Sequence, residues 1–278
     1  MLIRPARHLL LSDLRQLANP PQVAYTHLDW LTPEERLLDA STFVLEKKKR
    51  LCAILGLTPE TQNFAWLRFF FSLQDGKHQE HFGDLLSYGK KWLAGNKVNA
   101  LYSLSHQEWF ENLLIRNGFE KNNQIITLST SKPIIHPCDC APNLIRSISQ
   151  EDVALISKLD AQCFSDPWQL NEASLRHCIA GANSATCIKL DGQAIAYQVS
   201  HVVFDHIHIA RLAVHPDHRG KGYASSLLSS LIAESKNSGD YVFSVNTQQD
   251  NHSSLALYQS LGFRSHQECF PVYKLRTM

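Results

Sequence analysis

Val214-His215-Pro216-Asp217-His218-Arg219-Gly220-Lys221-Gly222-Tyr223-Ala224-Ser225 is the stretch that decides the fold of this chain. Ahead of it, Ile207 to Val214 is rich in β-branched and aliphatic residues and reads as a strand. Behind it, Leu227, Leu228, Leu231 and Ile232 repeat at helical spacing. Strand, Gly-rich turn and helix in that order suit an anion. Glycines let the backbone approach a phosphate, and free N–H groups of the first helical turn point at it along the helix dipole. Arg219 and Lys221 add positive charge at the same place.

Two phosphate-binding patterns are absent. No G-x-G-x-x-G is followed by an acidic residue on a next strand, and no G-x-x-x-x-G-K-[ST] occurs. Instead Arg219, Gly222 and Ala224 meet an Arg/Gln-x-x-Gly-x-Gly/Ala pattern. A second signature follows after a strand at Tyr241 to Thr247: Asn251-His252-Ser253-Ser254-Leu255-Ala256-Leu257-Tyr258-Gln259-Ser260-Leu261-Gly262-Phe263. Both signatures, in this order, resemble those of the GNAT superfamily of N-acetyltransferases. The resemblance covers roughly the second half of the chain, about one domain of ~100–200 residues.

The local pattern agrees with that fold. Leu144 to Ile148 reads as a strand, Ser149 as an N-cap, and Val153, Ile156 and Leu159 as the apolar face of a helix. Asp166-Pro167-Trp168 breaks the chain before a helix around Asn171 to Ile179. Thr186 to Leu190 and Ala194 to Val199 form a hairpin about Asp191-Gly192.

The first half reads as a worn copy of the second. Trp109 to Phe119 parallels Ser254 to Phe263 and ends in the same Gly-Phe. Phe64 to Leu73 is an apolar strand, and Phe82, Leu85, Leu86 and Trp92 mark a helix. Between them Gln74 to His81 lacks the second glycine, and Asp75 and Glu80 would repel a pyrophosphate. A Pro- and Ser-rich stretch separates the halves. The expected organisation is α/β: a degenerate GNAT-like domain over 1–130, a linker over 131–142 and a catalytic GNAT domain over 143–278. Each domain would be a mixed, mostly antiparallel sheet flanked by helices.

The resemblance implies acetyl-CoA as co-substrate. It implies that backbone groups of Leu212, Ala213 and Val214 hold the pantetheine arm. The loop Arg219, Gly220, Lys221, Gly222, Tyr223, Ala224 and Ser225 would take the pyrophosphate, and Asn251 would bind the coenzyme arm. Acyl transfer to an amine needs a proton removed from the amine and benefits from a donor to the departing thiolate. Tyr258 is the candidate acid, as the family often places a tyrosine beside the sulfur. The plainer reading is an aromatic on the helix's core face. The ribosomal-protein alanine acetyltransferase branch carries a Glu where this chain has Asn246, which cannot accept a proton. Arylalkylamine acetyltransferases carry a histidine at the position of His208, which is therefore the candidate base. Alternation puts His206 on the same face. Exposed, merely polar strand residues are the plainer reading of both.

The acceptor is a small amine or a peptide N-terminus. Phe164-Ser165-Asp166-Pro167-Trp168 resembles the acceptor region of the alanine acetyltransferases, while tandem domains with a decayed first copy resemble mycothiol synthase. A non-catalytic acyl-CoA-binding or protein-interaction module is the alternative. Cys269 is a conceivable nucleophile without a marked activating partner.

Composition sets bounds. The 278 residues are 44% hydrophobic and 19% charged with a formal net charge of +1, which gives no global field for nucleic acid or an acidic membrane. Glu46 to Arg50 reads as a solvated hairpin end. No apolar run approaches the ~18–20 residues that span a bilayer. The first residues lack a signal-peptide layout, and seven cysteines, mostly in apolar segments, fit reduced thiols of a cytoplasmic protein. Neither Cys138/Cys140 nor His206/His208 has further ligands at metal spacing, so no metal is expected.

Overall fold

The computed structural model describes residues 1–8, 21–27, 32–37, 41–135, 144–236, 239 and 241–277. They form two compact units: Met1–Asn122 with Pro271–Met278, and Asn123–Phe270.

The first unit carries β1 (Leu2–Pro5), β2 (Val23–Thr26), α1 (Pro33–Arg36), β3 (Thr42–Lys47), β4 (Arg50–Pro59), β5 (Phe64–Ser72), α2 (His78–Gly95), β6 (Ala100–Leu104) and α3 (Glu108–Arg116). β7 (Glu120–Thr130) leaves this unit after its first residues. Strands β1, β3, β4 and β5 pair antiparallel in that order, and β5 pairs parallel with β6. Phe43, Leu55, Phe70, Phe82, Leu85 and Phe110 are fully buried together beneath α2 and α3. Each such side chain contributes about 1.5–3 kcal/mol by leaving water. Lys48 and Lys49 form the exposed tip of the β3–β4 hairpin, as the charge run implies.

The second unit carries β8 (Ile145–Ser147), α4 (Val153–Cys163), α5 (Glu172–Ala180), β9 (Ser184–Leu190), β10 (Gln193–Val203), β11 (His206–Val214), α6 (Tyr223–Lys236), β12 (Val242–Gln248), α7 (His252–Ser260) and β13 (Arg264–Arg276). Its strand order is β8-β9-β10-β11-β12-β7-β13, with β11 and β12 parallel. Ser149 precedes a short 3-10 turn whose Asp152 carboxylate accepts from the Ser149 N–H at 3.0 Å, and α4 follows. The Asp191-Gly192 turn takes positive φ at both residues, the two-residue turn that matches strand twist. The repeated helix ends coincide: Gly118 and Gly262 have φ of +83° and +85°, and the phenylalanine after each is buried.

The expected halves trade their last strands. Residues 123–130 of β7 sit between β12 and β13 in the second unit, while Val272 to Arg276 of β13 pair with β6 in the first. A break in sequence composition marks a linker, but strand pairing is nonlocal and ignores it. Within the expected linker, residues 136–142 lie outside the described residues.

Candidate functional site

The site is built around the end of β11. On one side β11 pairs with β10 through Ala196↔Val214 and Tyr197↔Ala213. On the other, the parallel ladder with β12 runs only from His206↔Val242 to Ile209↔Val245. Among the described residues no strand pairs with Leu212, Ala213 or Val214 on that side. Apart from the Val214 carbonyl, which accepts from Arg219, the backbone groups on that edge have no strand partner, and an unpaired peptide group seeks a ligand or water.

The Gly-rich loop begins where this unpaired run ends. Pro216 to His218 make a 3-10 turn, and the His215 ring nitrogen accepts from the Asp217 N–H. Gly220 and Gly222 adopt φ of +75° and +82°, which side chains with a Cβ resist. α6 starts at Tyr223, so Tyr223, Ala224 and Ser225 supply first-turn N–H groups without intrahelical acceptors. Arg219 donates from Nε to the Val214 carbonyl at 3.2 Å, and Lys221 donates to the Asp217 carbonyl at 3.1 Å. Both cations are exposed at the loop.

Asn251 caps α7: its Oδ1 accepts from the Ser254 N–H at 3.2 Å and the Ser253 hydroxyl at 3.0 Å, while its amide donates to Gln248. Tyr258, on α7, is buried against Phe263 with Ile207, Ile209 and Val245 in the same cluster. Burial pushes its phenol well above the ordinary value. Its hydroxyl makes no hydrogen bond among the described residues, so the ring is a core residue with an uncommitted donor.

His208 lies on the opposite face from Ile207 and Ile209. Its Nδ1 is 3.0 Å from the Ser244 hydroxyl across the ladder. Burial, reinforced by nearby His201, pushes its imidazole below the ordinary histidine value, so the ring is neutral at neutral pH. His206 is exposed and paired with Asp205. Asn246 is exposed on the His208 side of β12 and accepts at Oδ1 from the Thr127 hydroxyl at 2.8 Å.

Sequence reasoning missed a buried ionic cluster beneath this face. The Asp160 carboxylate on α4 accepts from Arg211, from the Tyr197 hydroxyl and, at 2.9 Å, from the Leu170 N–H. Arg211 also donates to the Trp168 carbonyl at 3.0 Å, and its guanidinium lies 3.8 Å from the Phe164 ring centroid. These bonds fasten residues 164–170, the expected acceptor segment, to β11 next to the unpaired backbone. An arginine inside an apolar strand and an aspartate beside Leu159 in an apolar helix were the available signals.

The described cysteines differ in burial. Burial raises the Cys163 thiol to about 11 and the Cys178 thiol to about 12, so neither offers thiolate at neutral pH. Cys269 is exposed. No group of three or more His, Cys, Asp or Glu side chains able to hold a metal occurs among the described residues. Cys138 and Cys140 lie outside them. No described helix is long and apolar enough to cross a membrane.

The first unit repeats the geometry and then fills it. The parallel ladder of β5 with β6 stops at Trp66↔Tyr102. Beyond it, Phe69 to Ser72 pair with β2 from Thr26↔Phe69 to Val23↔Ser72. Tyr25 of β2 is fully buried, stacks on Phe110 with centroids 3.7 Å apart, and donates to the Leu104 carbonyl of β6 at 2.5 Å. Of the expected loop Gln74 to His81, the last residues begin α2, where Glu80 in the first turn is paired with Lys47 and Lys77, which hold its carboxyl at about 2.

Comparison with known proteins agrees with the second unit's geometry. Residues 153–263 match the model of the acetyltransferase (GNAT) family. A segment of 50 residues is 50% identical to the L-amino acid N-acyltransferase of Escherichia coli, covering 18% of this chain and 29% of that protein. The ribosomal protein bS18-alanine N-acetyltransferase of E. coli is 26% identical over 121 residues, 44% of this chain and 80% of that protein. Among solved structures, an N-acetyltransferase of the family from Kribbella flavida aligns with TM-score 0.66 at 9% identity, over 99% of this chain and 72% of the other. A tandem GNAT protein from the clavulanic acid biosynthesis pathway aligns with TM-score 0.56 at 11% identity, over 96% and 87%. These likenesses show the fold. Within the second unit, residues 153–263 match the acetyltransferase (GNAT) family, and the loop geometry and fold agree with that match.

Proposed function

We propose that the second unit transfers an acetyl group from acetyl-CoA to a primary amine, a small amine or a peptide N-terminus, by direct attack. The observation that carries this reading is the β11–β12 ladder ending at Ile209, immediately before a glycine-hinged loop bearing Arg219 and Lys221. The loop from Arg219 to Ser225 takes the pyrophosphate, and the free edge of Leu212, Ala213 and Val214 takes the pantetheine arm and the acetyl carbonyl.

The neutral amine attacks the thioester carbon, forming the C–N bond and a tetrahedral oxyanion. Collapse of that oxyanion breaks the C–S bond, with the electron pair leaving on sulfur. His208 takes the ammonium proton, and Tyr258 hydrogen-bonds and protonates the departing thiolate. The raised phenol pKa makes complete proton transfer to a thiolate uphill, so the hydrogen bond carries most of the benefit. His208 and Tyr258 stand on opposite faces of the sheet.

The short match to an L-amino acid N-acyltransferase and the longer one to an alanine N-acetyltransferase favour an α-amine acceptor. Asn246 at the branch's Glu position favours the rival, a non-catalytic coenzyme-binding module. Incubation of the full chain with acetyl-CoA and a panel of amino acids, alkylamines and peptides, followed by thiol release and product mass, separates them. Amine-dependent thiol release is expected. Tight coenzyme binding without turnover on any amine would establish the binding module.

A further inference from the structure

The second unit contains a strand that the first half of the chain supplies, and that strand reaches the acceptor face. β7 pairs antiparallel with β12 from Phe243↔Thr130 to Gln248↔Ile125. Along β12, Phe243 and Val245 are buried in the cluster with Tyr258, whereas Ser244 and Asn246 face the other way, with His208. Thr127 stands directly opposite Asn246 in the register, and its hydroxyl donates to the Asn246 carbonyl oxygen at 2.8 Å.

That bond fixes what Asn246 can offer. An asparagine amide has one oxygen acceptor and two N–H donors. With the oxygen held by Thr127, one of its two lone pairs and both N–H donors of this exposed side chain are uncommitted, and the N–H end is turned away from Thr127. Asn246 is also the first β12 residue beyond the ladder with β11, so it borders the unpaired opening. It lies two residues beyond Ser244, the ladder partner of His208, about 6.5–7 Å along the strand. A short N–Cα–C=O unit with a hydrogen bond at each end spans such a gap.

We propose that Thr127 is a positioning residue for Asn246. By holding the amide oxygen, it turns the N–H donors toward the acceptor and selects amines with an oxygen acceptor on the adjoining carbon, as in an α-amino acid or a peptide N-terminus. This rests on the acetyl-transfer reading above. It assigns the first half of the chain a direct part in selectivity, through one side chain.

The test compares each acceptor with its analogue lacking the carbonyl or carboxylate, for example L-alanine or an alanyl peptide against ethylamine, with acetyl-CoA as donor. In the unaltered chain the oxygen-bearing acceptor is preferred. Thr127→Val keeps the branched shape and removes the hydroxyl. It should raise KM for the oxygen-bearing acceptor roughly three- to tenfold, the span of one ordinary hydrogen bond, and leave coenzyme Kd and the KM of the simple amine unchanged. Thr127→Ser should restore the preference, and Asn246→Asp should shift it toward the simple amine. A preference unchanged in Thr127→Val, or coenzyme Kd and both KM values moving together, would overturn the inference while leaving acetyl transfer intact. No turnover by the unaltered chain on any amine would overturn both readings.

Discussion

The two units present the same strand pair with opposite outcomes. In each, a parallel ladder joins the strand before a long helix to the strand after it, and stops early, at Ile209↔Val245 in one and Trp66↔Tyr102 in the other. In the first unit β2 pairs with the strand beyond the ladder and buries Tyr25, and the first turn of the following helix carries Glu80 in ion pairs. In the second, Leu212 to Val214 have no described strand partner on that side, and two glycines at positive φ lead into α6. The opening is therefore a property of the repeated fold. Ligand competence depends on what the rest of the chain does with it. A strand laid into the opening satisfies the same backbone groups that a coenzyme arm would use, and it does so at no cost in translational freedom.

The contrast can be broken most forcefully at the loop. Gly222→Glu combines a φ of +82° that glutamate resists with a carboxylate placed where a pyrophosphate would sit. Isothermal titration of the unaltered chain should give one coenzyme site, and the variant should give no measurable binding. Two equal sites in the unaltered chain, or binding retained in the variant, would erase the distinction between the units.

The first unit is probed by Tyr25→Ala. Deleting a fully buried aromatic should cost about 3–5 kcal/mol of stability, read from the denaturant midpoint at constant slope. Coenzyme stoichiometry should remain one, because the segment before α2 has one positive-φ glycine, Gly76, where the second unit has two, and Glu80 follows in the first turn of the helix. A second site appearing in this variant would mean that β2 alone, and not the loop, closes the first opening.

Much of this contrast was legible in the sequence, and the reasons differ by element. The positive-φ glycines of the loop and both Gly-Phe helix ends could be read because their signals are local: residue type and helical spacing. The deficiency of Gln74 to His81 was legible for the same reason. The occupation of the opening by Val23 to Thr26 was not, because four residues pairing with a strand more than forty positions away leave no periodic trace. The exchange of β7 and β13 was hidden likewise. Asp160 and Arg211 were visible only as charges in apolar surroundings, and their mutual contact depends on tertiary packing. Asn246 was noticed for the proton it cannot accept; its partner Thr127 lies 119 positions away.

Tyr258→Phe sharpens the comparison at the chemistry. The hydroxyl is lost while the ring keeps its place against Phe263. Since burial holds the phenol high and the group works mainly as a hydrogen-bond donor, kcat should fall about 10²-fold, the lower end of general acid–base effects, with coenzyme Kd unchanged. No basic limb attributable to the phenol should appear in the accessible pH range of the unaltered chain. An unchanged kcat would return Tyr258 to a packing role like that of Tyr25 in the first unit.

On an α-amine the smallest effect is expected at His208, and its size reports the acceptor. Burial lowers the imidazole pKa, so the neutral, proton-accepting form persists below the ordinary value of about 6.5. The acid limb of kcat/KM assigned to His208 should lie below that value and vanish in His208→Ala. The same shift has a stability consequence: the unfolded chain binds the proton more readily, so the contribution is full above about pH 6.5 and is lost as pH falls through the folded pKa. An α-amine titrates near 7.7–8.0, so roughly a tenth of it is already neutral at pH 7, and losing the base should cost only about tenfold there. A lysine-type amine near 10.4 would make the same substitution cost about a thousandfold at pH 7. In either case activity should recover as pH rises, because the free amine no longer needs a base. Measuring the pH profile of His208→Ala on one α-amine and one alkylamine therefore tests the base and the acceptor together. A profile identical to that of the unaltered chain on both would leave His208 a half-buried polar residue bonded to Ser244 and nothing more.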